Sequence, residues 1–67
     1  MTFGEKVADA RAKKGISQSE LARRVGVSQK MISVMEDGFK APGLALAKEI
    51  ALQLDVSLDY LVGLENK

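Results

Sequence analysis

Gln29 and Lys30 are the residues of this chain whose chemistry is easiest to interpret. They directly follow Ser28, a residue type that caps helices, so they take the first two positions of a predicted helix. A glutamine amide can form two hydrogen bonds with an adenine edge, and a lysine can donate to guanine O6 or N7. Ser33 and Val34 share the same outward face, the valine as a contact for a thymine methyl group. These four residues predict a surface that reads base edges, with Lys30 as its central contact.

Lys30 is also an unfavourable residue at the start of a helix. A cation in the first turn opposes the helix dipole and costs about 0.3–1 kcal/mol, whereas an acidic residue would stabilise that end. A phosphate-rich partner would offset this cost. On an arbitrary helix the simpler interpretation is that lysine and glutamine are only solvated, so the choice depends on the elements around them.

The composition excludes most catalytic and metal chemistry. The 67 residues contain no His and no Cys, so the usual zinc ligands, any disulfide and the usual general base near neutral pH are missing. No glycine-rich phosphate loop is present, and no apolar stretch approaches the roughly 20 residues of a membrane span. We therefore expect no enzyme activity, no metal, no cofactor and no membrane partner, and nothing indicates a small-molecule ligand.

Three serines mark predicted helix starts. Ser17, Ser28 and Ser57 are each preceded by an aliphatic residue and followed four residues later by another, which is the hydrophobic staple that accompanies an N-cap. Glu20 stands three residues after Ser17 and could complete a capping box. Since no stretch of the chain alternates β-branched and polar residues, these starts predict an all-α fold.

Glycines follow four of the five predicted helices, and the single proline, Pro42, precedes the fourth. The result is an all-α, compact five-helix bundle that forms one domain over residues 1–67. Its predicted helices lie at about residues 2–14, 18–25, 29–37, 44–54 and 58–63.

The second and third predicted helices are separated only by Gly26-Val27-Ser28. A turn of three to four residues with a glycine between two short helices is typical of the DNA-binding helix-turn-helix. Ala22 would let the helices approach closely, and Val27 and Ile32 would fill the space beneath the turn. This context favours DNA contact over simple solvation for Gln29 and Lys30.

The chain resembles the phage Cro/repressor family of transcription regulators, of the xenobiotic-response-element type. The resemblance implies a lambda-repressor-like bundle that binds a double-stranded, near-palindromic DNA operator as a homodimer, most simply as a cytoplasmic repressor of bacterial or phage origin. It implies a helix-turn-helix at about 17–37 and a dimerisation end at about 44–64. The matching segments are Gly15–Ser28, Ile32-Ser33, Met35–Gly38, Pro42 and Leu54–Leu61, within about residues 3–63.

The resemblance also implies roles for individual residues. Gln18 matches the family's phosphate-contacting glutamine, and Lys40 matches a loop lysine that touches phosphate. Arg11 and Glu36 match a partly buried ion pair between the first and third helices. The expected phosphate contacts are Gln18, Ser17, Ser28, Arg24, Lys40 and Lys14, with the two serines acting first as caps.

Two positions depart from the family pattern. Phe39 stands where a basic or polar residue is usual, and it could belong to the core, anchor the loop, or make an exposed contact; the core is the simplest of these. Asp55 replaces the usual glycine between the last two helices, so it must take a left-handed conformation, which Asp tolerates.

The C-terminal helices hold more apolar residues than a monomer core of this size requires. Leu46 and Leu52 lie off the inward stripe that starts at Leu44. Because relatives dimerise through this end, the resemblance implies a dimer interface that contains Leu58, Tyr60 and Leu64.

Charge is distributed unevenly along the chain. Residues 11–40 hold seven basic against three acidic side chains, a net +4, while residues 41–67 hold two against four, a net −2. The basic segment contains the predicted helix-turn-helix, as attraction to a DNA backbone requires. Two alternatives keep the same fold: a protein-interaction module, and an antitoxin or restriction-modification controller.

Overall fold

The computed structural model describes residues 1–63. Within that range it consists of five α-helices and no strand, which confirms the predicted fold class. The helices are α1 (Phe3–Lys14), α2 (Gln18–Val25), α3 (Gln29–Glu36), α4 (Leu44–Leu54) and α5 (Leu58–Val62).

Helix starts follow the serine pattern. The hydroxyl oxygens of Ser17, Ser28 and Ser57 each accept a hydrogen bond from the backbone N–H three residues on, at 3.0, 3.1 and 2.9 Å. Each serine therefore satisfies one N–H group that the helix itself leaves unpaired. Because these bonds are local, α2, α3 and α5 begin where the sequence predicts.

The predicted capping box at Glu20 is wrong. Its carboxylate bonds the side chains of Arg23 and Arg24 instead, one turn further along α2. The complete box lies at the start of α1, where Thr2 accepts from the Glu5 N–H at 3.1 Å and Glu5 accepts from the Thr2 N–H at 2.9 Å. Two arginines within reach compete successfully for a carboxylate that a single backbone N–H would otherwise bind.

The core lies where α2 and α3 pack against each other and against α1 and α4, with α5 covering α1 and α4. Its largest fully buried side chains are Leu21, Ile32, Met35, Ile50, Leu61 and Val7.

Glycine allows α1 to approach the end of α3 very closely. Gly4 is buried, and a Cβ atom at this position would lie 2.4 Å from the Met35 carbonyl oxygen and 2.6 Å from that of Glu36. Any larger side chain would push the two backbones apart. The sequence does not reveal this contact, because the residues around Gly4 show no pattern that distinguishes it from any other glycine within a helix.

The inward stripe of α4 differs from the prediction at its first turn. Leu44 is 67% exposed, whereas Leu46 is half-buried and packs against the core beside Ile50 and Leu54. Side chains of a helix tilt towards its N-terminus, so the side chain of the first residue extends past the end of the bundle. Leu46 completes the i, i+4, i+8 row instead. Leu52 is exposed, as expected.

The loop after α3 corrects the simplest prediction for Phe39. This side chain is 83% exposed and not part of the core. Phe39 follows Gly38, which takes the left-handed conformation with φ +87° two residues beyond the end of α3, so Phe39 belongs to the loop and not to the apolar side of the helix. Asp55, by contrast, takes the predicted left-handed conformation, with φ +58°.

Candidate nucleic-acid interface

The outer side of α3 is a shallow concave surface of about 580 Å³. It contains all four predicted base contacts together with Phe39, for which an exposed contact is one of the three sequence alternatives, and Asp37, for which the sequence predicts no contact. We call it the α3 surface; its lining residues are Gln29, Lys30, Ser33, Val34, Asp37 and Phe39.

Helix geometry explains why these side chains share one side. Gln29 and Lys30 are exposed in the first turn of α3, and Ser33 and Val34 lie half-buried one turn later, at i+3 and i+4 spacing. Ile32 and Met35 occupy the opposite side and are buried in the core. The apolar side of α3 thereby fixes the orientation of its polar side.

The N-terminal end of α3 carries uncompensated positive potential. Its first turn holds no acidic residue, and Lys30 adds a full positive charge to the positive end of the helix dipole. The Ser28 hydroxyl caps one of the free N–H groups. This end of the helix is therefore suited to an anionic or electron-rich partner.

A partly buried network of hydrogen bonds joins α1, α2 and α3. The Arg11 guanidinium donates two hydrogen bonds to the Glu36 carboxylate, Nε to Oε2 at 2.9 Å and Nη2 to Oε1 at 3.1 Å, so the expected ion pair is present. The side chain of Glu36 is only 6% exposed. The hydrogen bonding that Arg11 donates to the Glu36 carboxylate raises the pKa of the Arg11 guanidinium, although burial opposes this shift.

The same network includes Gln18. Its amide Nε2 donates to Glu36 Oε1 at 2.9 Å, and Arg11 Nη1 also donates to the Ile16 carbonyl oxygen at 2.9 Å. The first residue of α2 is thus attached to the last residue of α3. The proposed phosphate contact of Gln18 must use the parts of its amide that Glu36 does not occupy.

Two of the other residues that we expect to contact phosphate form ion pairs with carboxylates of this chain. Arg24 Nε bonds Glu20 at 2.8 Å, and Lys14 Nζ bonds Asp55 at 2.5 Å. Hydrogen bonds from Arg23 and then Arg24 lower the pKa of Glu20 to about 2, so this carboxylate stays charged at neutral pH. All these pairs lie at the surface, where ion pairs contribute only about 0–1 kcal/mol and can be exchanged for another anion.

The predicted contacts do not all lie together. Lys14 belongs to a separate groove of about 450 Å³ between α1 and the α4–α5 connection, which also contains Lys13, Val56 and Tyr60. Lys40 is exposed in the loop after Phe39 and lines a third depression beside Gly4.

The residues expected at the dimer interface are only partly accessible. Leu58 and Tyr60 are half-buried and pack against the core, and Leu64 lies outside the described residues. Lys6 Nζ donates to the Tyr60 carbonyl oxygen at 3.0 Å and lies 5.3 Å from the centre of the Tyr60 ring, which ties α5 to α1. Two other apolar side chains of α4 and α5 are more exposed: Leu52 at 69% and Val62 at 47%.

Metal and membrane features are not found in residues 1–63. That part of the chain holds no cluster of three or more potential metal-binding side chains, and none of its helices is long and apolar enough to cross a membrane.

The fold and the α3 surface together define a DNA-binding helix-turn-helix protein, and comparison with known proteins identifies the family. The helix-turn-helix family profile HTH_3 matches residues 7–61, so this chain belongs to that family of Cro/C1-type regulators. An uncharacterized HTH-type transcriptional regulator of Archaeoglobus fulgidus is 38% identical over 56 residues, which cover 84% of this chain and 80% of the relative.

Solved structures agree with this assignment. The P22 c2 repressor in complex with synthetic operator 9T superimposes with a TM-score of 0.89 at 32% identity, over 92% of this chain and 94% of the repressor chain. SinR, a master regulator for biofilm formation, in complex with DNA gives a TM-score of 0.84 at 31% identity, over 90% and 97% of the two chains. The chain is a DNA-binding transcription regulator of the repressor family, a family of regulators and not of enzymes.

Proposed function

We propose that this protein represses transcription by binding a near-palindromic operator as a homodimer, with α3 of each copy in the major groove. The observation that carries the proposal is the α3 surface, where hydrogen-bonding and apolar side chains lie together on the one side of α3 that the core leaves free. The second helix of a helix-turn-helix enters the major groove with its N-terminal residues against base edges.

The chemistry of the α3 surface supports readout of several bases. Gln29 pairs with adenine N6 and N7, Lys30 donates to guanine, Ser33 donates or accepts, and Val34 packs on a thymine methyl group. Each good bidentate pair distinguishes the correct base by about 1–3 kcal/mol. Together these contacts would specify one half-site.

Backbone contacts would fix the position of the protein on the duplex. We propose that phosphates are bound at the ends of α2 and α3, in the loop after α3, and by two cations that exchange their present carboxylate partners for phosphate. The residues concerned are Gln18, Ser17, Ser28, Lys40, Arg24 and Lys14.

Dimerisation would place two α3 helices about 34 Å apart, one turn of DNA, on a symmetric site. Apolar side chains of the last two helices support this part of the proposal: Leu52 and Val62 are exposed, Leu58 and Tyr60 are half-buried, and Leu64 follows in the sequence. A single 67-residue domain offers few contacts to DNA, so pairing two copies would raise both affinity and specificity.

Selection of bound duplexes from a random DNA pool tests the proposal. The expected result is a two-fold symmetric consensus for the wild-type protein, and a loss of preference at one position per half-site for Lys30→Ala. Lys48→Ala removes an equally exposed lysine on α4, outside the α3 surface, and should select the wild-type consensus. If no sequence is enriched, or if Lys48→Ala and Lys30→Ala behave alike, the proposal is wrong and an interaction module with this fold becomes the better explanation.

Sedimentation equilibrium tests the dimer separately. Val62→Asp introduces a charge at the proposed interface and should weaken self-association at least about tenfold, because a buried unpaired charge is unfavourable. Leu44→Asp also introduces a charge at an exposed apolar residue, but Leu44 is the first residue of α4 and lies outside the proposed interface. This variant should leave the association constant unchanged. A wild-type protein that remains monomeric at high micromolar concentration would contradict the dimer.

A further inference from the structure

Phe39 is exposed, yet its position is rigidly defined. Its side chain is 83% accessible to water, and its backbone N–H donates to the Val34 carbonyl oxygen at 3.1 Å. The Gly38 N–H donates to the Met35 carbonyl oxygen, also at 3.1 Å. These two bonds, with Gly38 in the left-handed conformation, form a helix C-terminal motif that fixes the residue after it. The Phe39 backbone is therefore attached to the last turn of α3 by a hydrogen bond of its own.

Phe39 lines the α3 surface three residues beyond the end of α3, whereas Gln29 is the first residue of that helix. α3 is eight residues long, so it spans about 12 Å, or between three and four base-pair steps of about 3.4 Å. Phe39 and Gln29 would consequently meet different base pairs. An aromatic side chain at this position would lengthen the stretch of DNA that the protein reads beyond the bases contacted by the four proposed base-reading residues of α3.

The groups around Phe39 indicate what it contacts. Lys30 lines the same surface and Lys40 follows in the sequence, so a polyanion is favoured over a neutral or basic protein surface. Asp37 also lines the surface, and its carboxylate disfavours a phosphate beside the ring. A carboxylate can instead accept from cytosine N4, and a phenyl ring can pack on a thymine methyl group. Asp37 and the Phe39 ring are therefore complementary to base edges, whereas Lys40, which lies outside the α3 surface, is free to contact the DNA backbone.

We propose that Phe39 is a specificity-determining residue, whose ring packs on the C5-methyl group of a thymine in each half-site. The inference rests on the proposed function, since it requires α3 in the major groove. It assigns the readout of one base pair to a loop residue, at a position different from the thymine contacted by Val34.

The first experiment compares DNA selection by wild-type protein, Phe39→Ala and Leu44→Ala. Phe39→Ala should lose the preference for thymine at one position in each half-site and keep the rest of the consensus. Leu44→Ala truncates another exposed apolar side chain, which lies outside the α3 surface, and should select the wild-type consensus. An unchanged consensus for Phe39→Ala overturns the inference, and so does a uniform loss of affinity without any change of preference.

The second experiment replaces the thymine at that position by deoxyuridine, which lacks only the methyl group. Wild-type affinity should fall by about fourfold per half-site, the effect of removing one buried methyl group from an apolar contact. Phe39→Ala should bind both duplexes equally. Val34→Ala should still distinguish them, because its own thymine lies elsewhere. Equal sensitivity of wild-type and Phe39→Ala protein to deoxyuridine would contradict the contact.

Folding and self-association provide the controls. Because Phe39 is exposed, the melting temperature of Phe39→Ala without DNA should stay within about 4 °C of wild type. Its sedimentation profile should also be unchanged; altered self-association would mean that the ring contacts a second copy, and would refute the assignment. If wild-type protein selects no DNA, both proposals fail, whereas a symmetric wild-type consensus shared by Phe39→Ala refutes only this one.

Discussion

Arg11→Ala should destabilise the fold more than any surface substitution. In the native protein the Arg11 guanidinium forms two hydrogen bonds with Glu36 and one with the Ile16 carbonyl oxygen. Removing it leaves the Glu36 carboxylate, whose side chain is 6% exposed, with the Gln18 amide as its remaining donor among these contacts. An unpaired buried charge is much less favourable than either the intact pair or an apolar pair.

The magnitude follows from the burial of the pair. Removing one partner of a buried ion pair lowers the free energy of unfolding by about 3–5 kcal/mol. The side chain of Arg11 is 19% exposed, so water can partly replace it, and the lower value of about 3 kcal/mol applies. A chain of 67 residues has a total unfolding free energy of about 3–10 kcal/mol. The melting temperature should therefore fall by about 12–24 °C.

Thermal and urea unfolding, monitored by circular dichroism, measure this effect. Lys13→Ala is the matched control, because its ion pair with Asp9 is exposed and its removal should change stability by at most about 0.5 kcal/mol. The double variant Arg11→Met, Glu36→Met should be more stable than Arg11→Ala, since no charge remains buried. A loss below about 1 kcal/mol for Arg11→Ala would refute the reasoning, because the pair would then behave as a surface ion pair.

Three further predictions follow from local geometry. Gly4→Ala places a methyl group against the Met35 carbonyl oxygen and should cost about 1–3 kcal/mol in urea unfolding; an unchanged midpoint would contradict the close packing of α1 on α3. Gly43→Ser should gain about 0.5 kcal/mol, because α4 has no side-chain N-cap bond, and a lower melting temperature would refute this. The pKa of Glu20 lies near 2, below its ordinary value of 4.5, so its contribution to stability is present above pH 4.5 and is lost as the pH falls towards 2. Glu20→Gln should therefore flatten the dependence of melting temperature on pH in that window, and identical slopes for both proteins would refute it.

Local features of the fold could be predicted well from sequence. A serine cap and its N–H partner are only three residues apart, so the starts of α2, α3 and α5 depend on little else. The side of α3 that faces outward follows from helical periodicity once Ile32 and Met35 are assigned to the core. For this reason the predicted base contacts lie on one surface.

Features that depend on distant parts of the chain were harder to predict. Arg11 and Glu36 are 25 residues apart, and only the resemblance to a family pairs them. Lys14 was identified by its charge, but its partner Asp55 is 41 residues away and places it in a different groove from the α3 surface. The exposure of Phe39 depends on the direction of the loop after Gly38, for which residue hydrophobicity is a poor guide.

The central claim, DNA readout by α3, is tested most directly by the affinities of three proteins for one duplex. Wild type, Lys30→Ala and Lys48→Ala are titrated against the selected operator and a scrambled duplex, at two salt concentrations. We expect Lys30→Ala to lose about 1–3 kcal/mol of operator binding per half-site, while Lys48→Ala keeps wild-type affinity. Wild-type binding should weaken steeply as salt rises. Binding that is independent of salt, or equal affinities of all three proteins for both duplexes, would contradict the account.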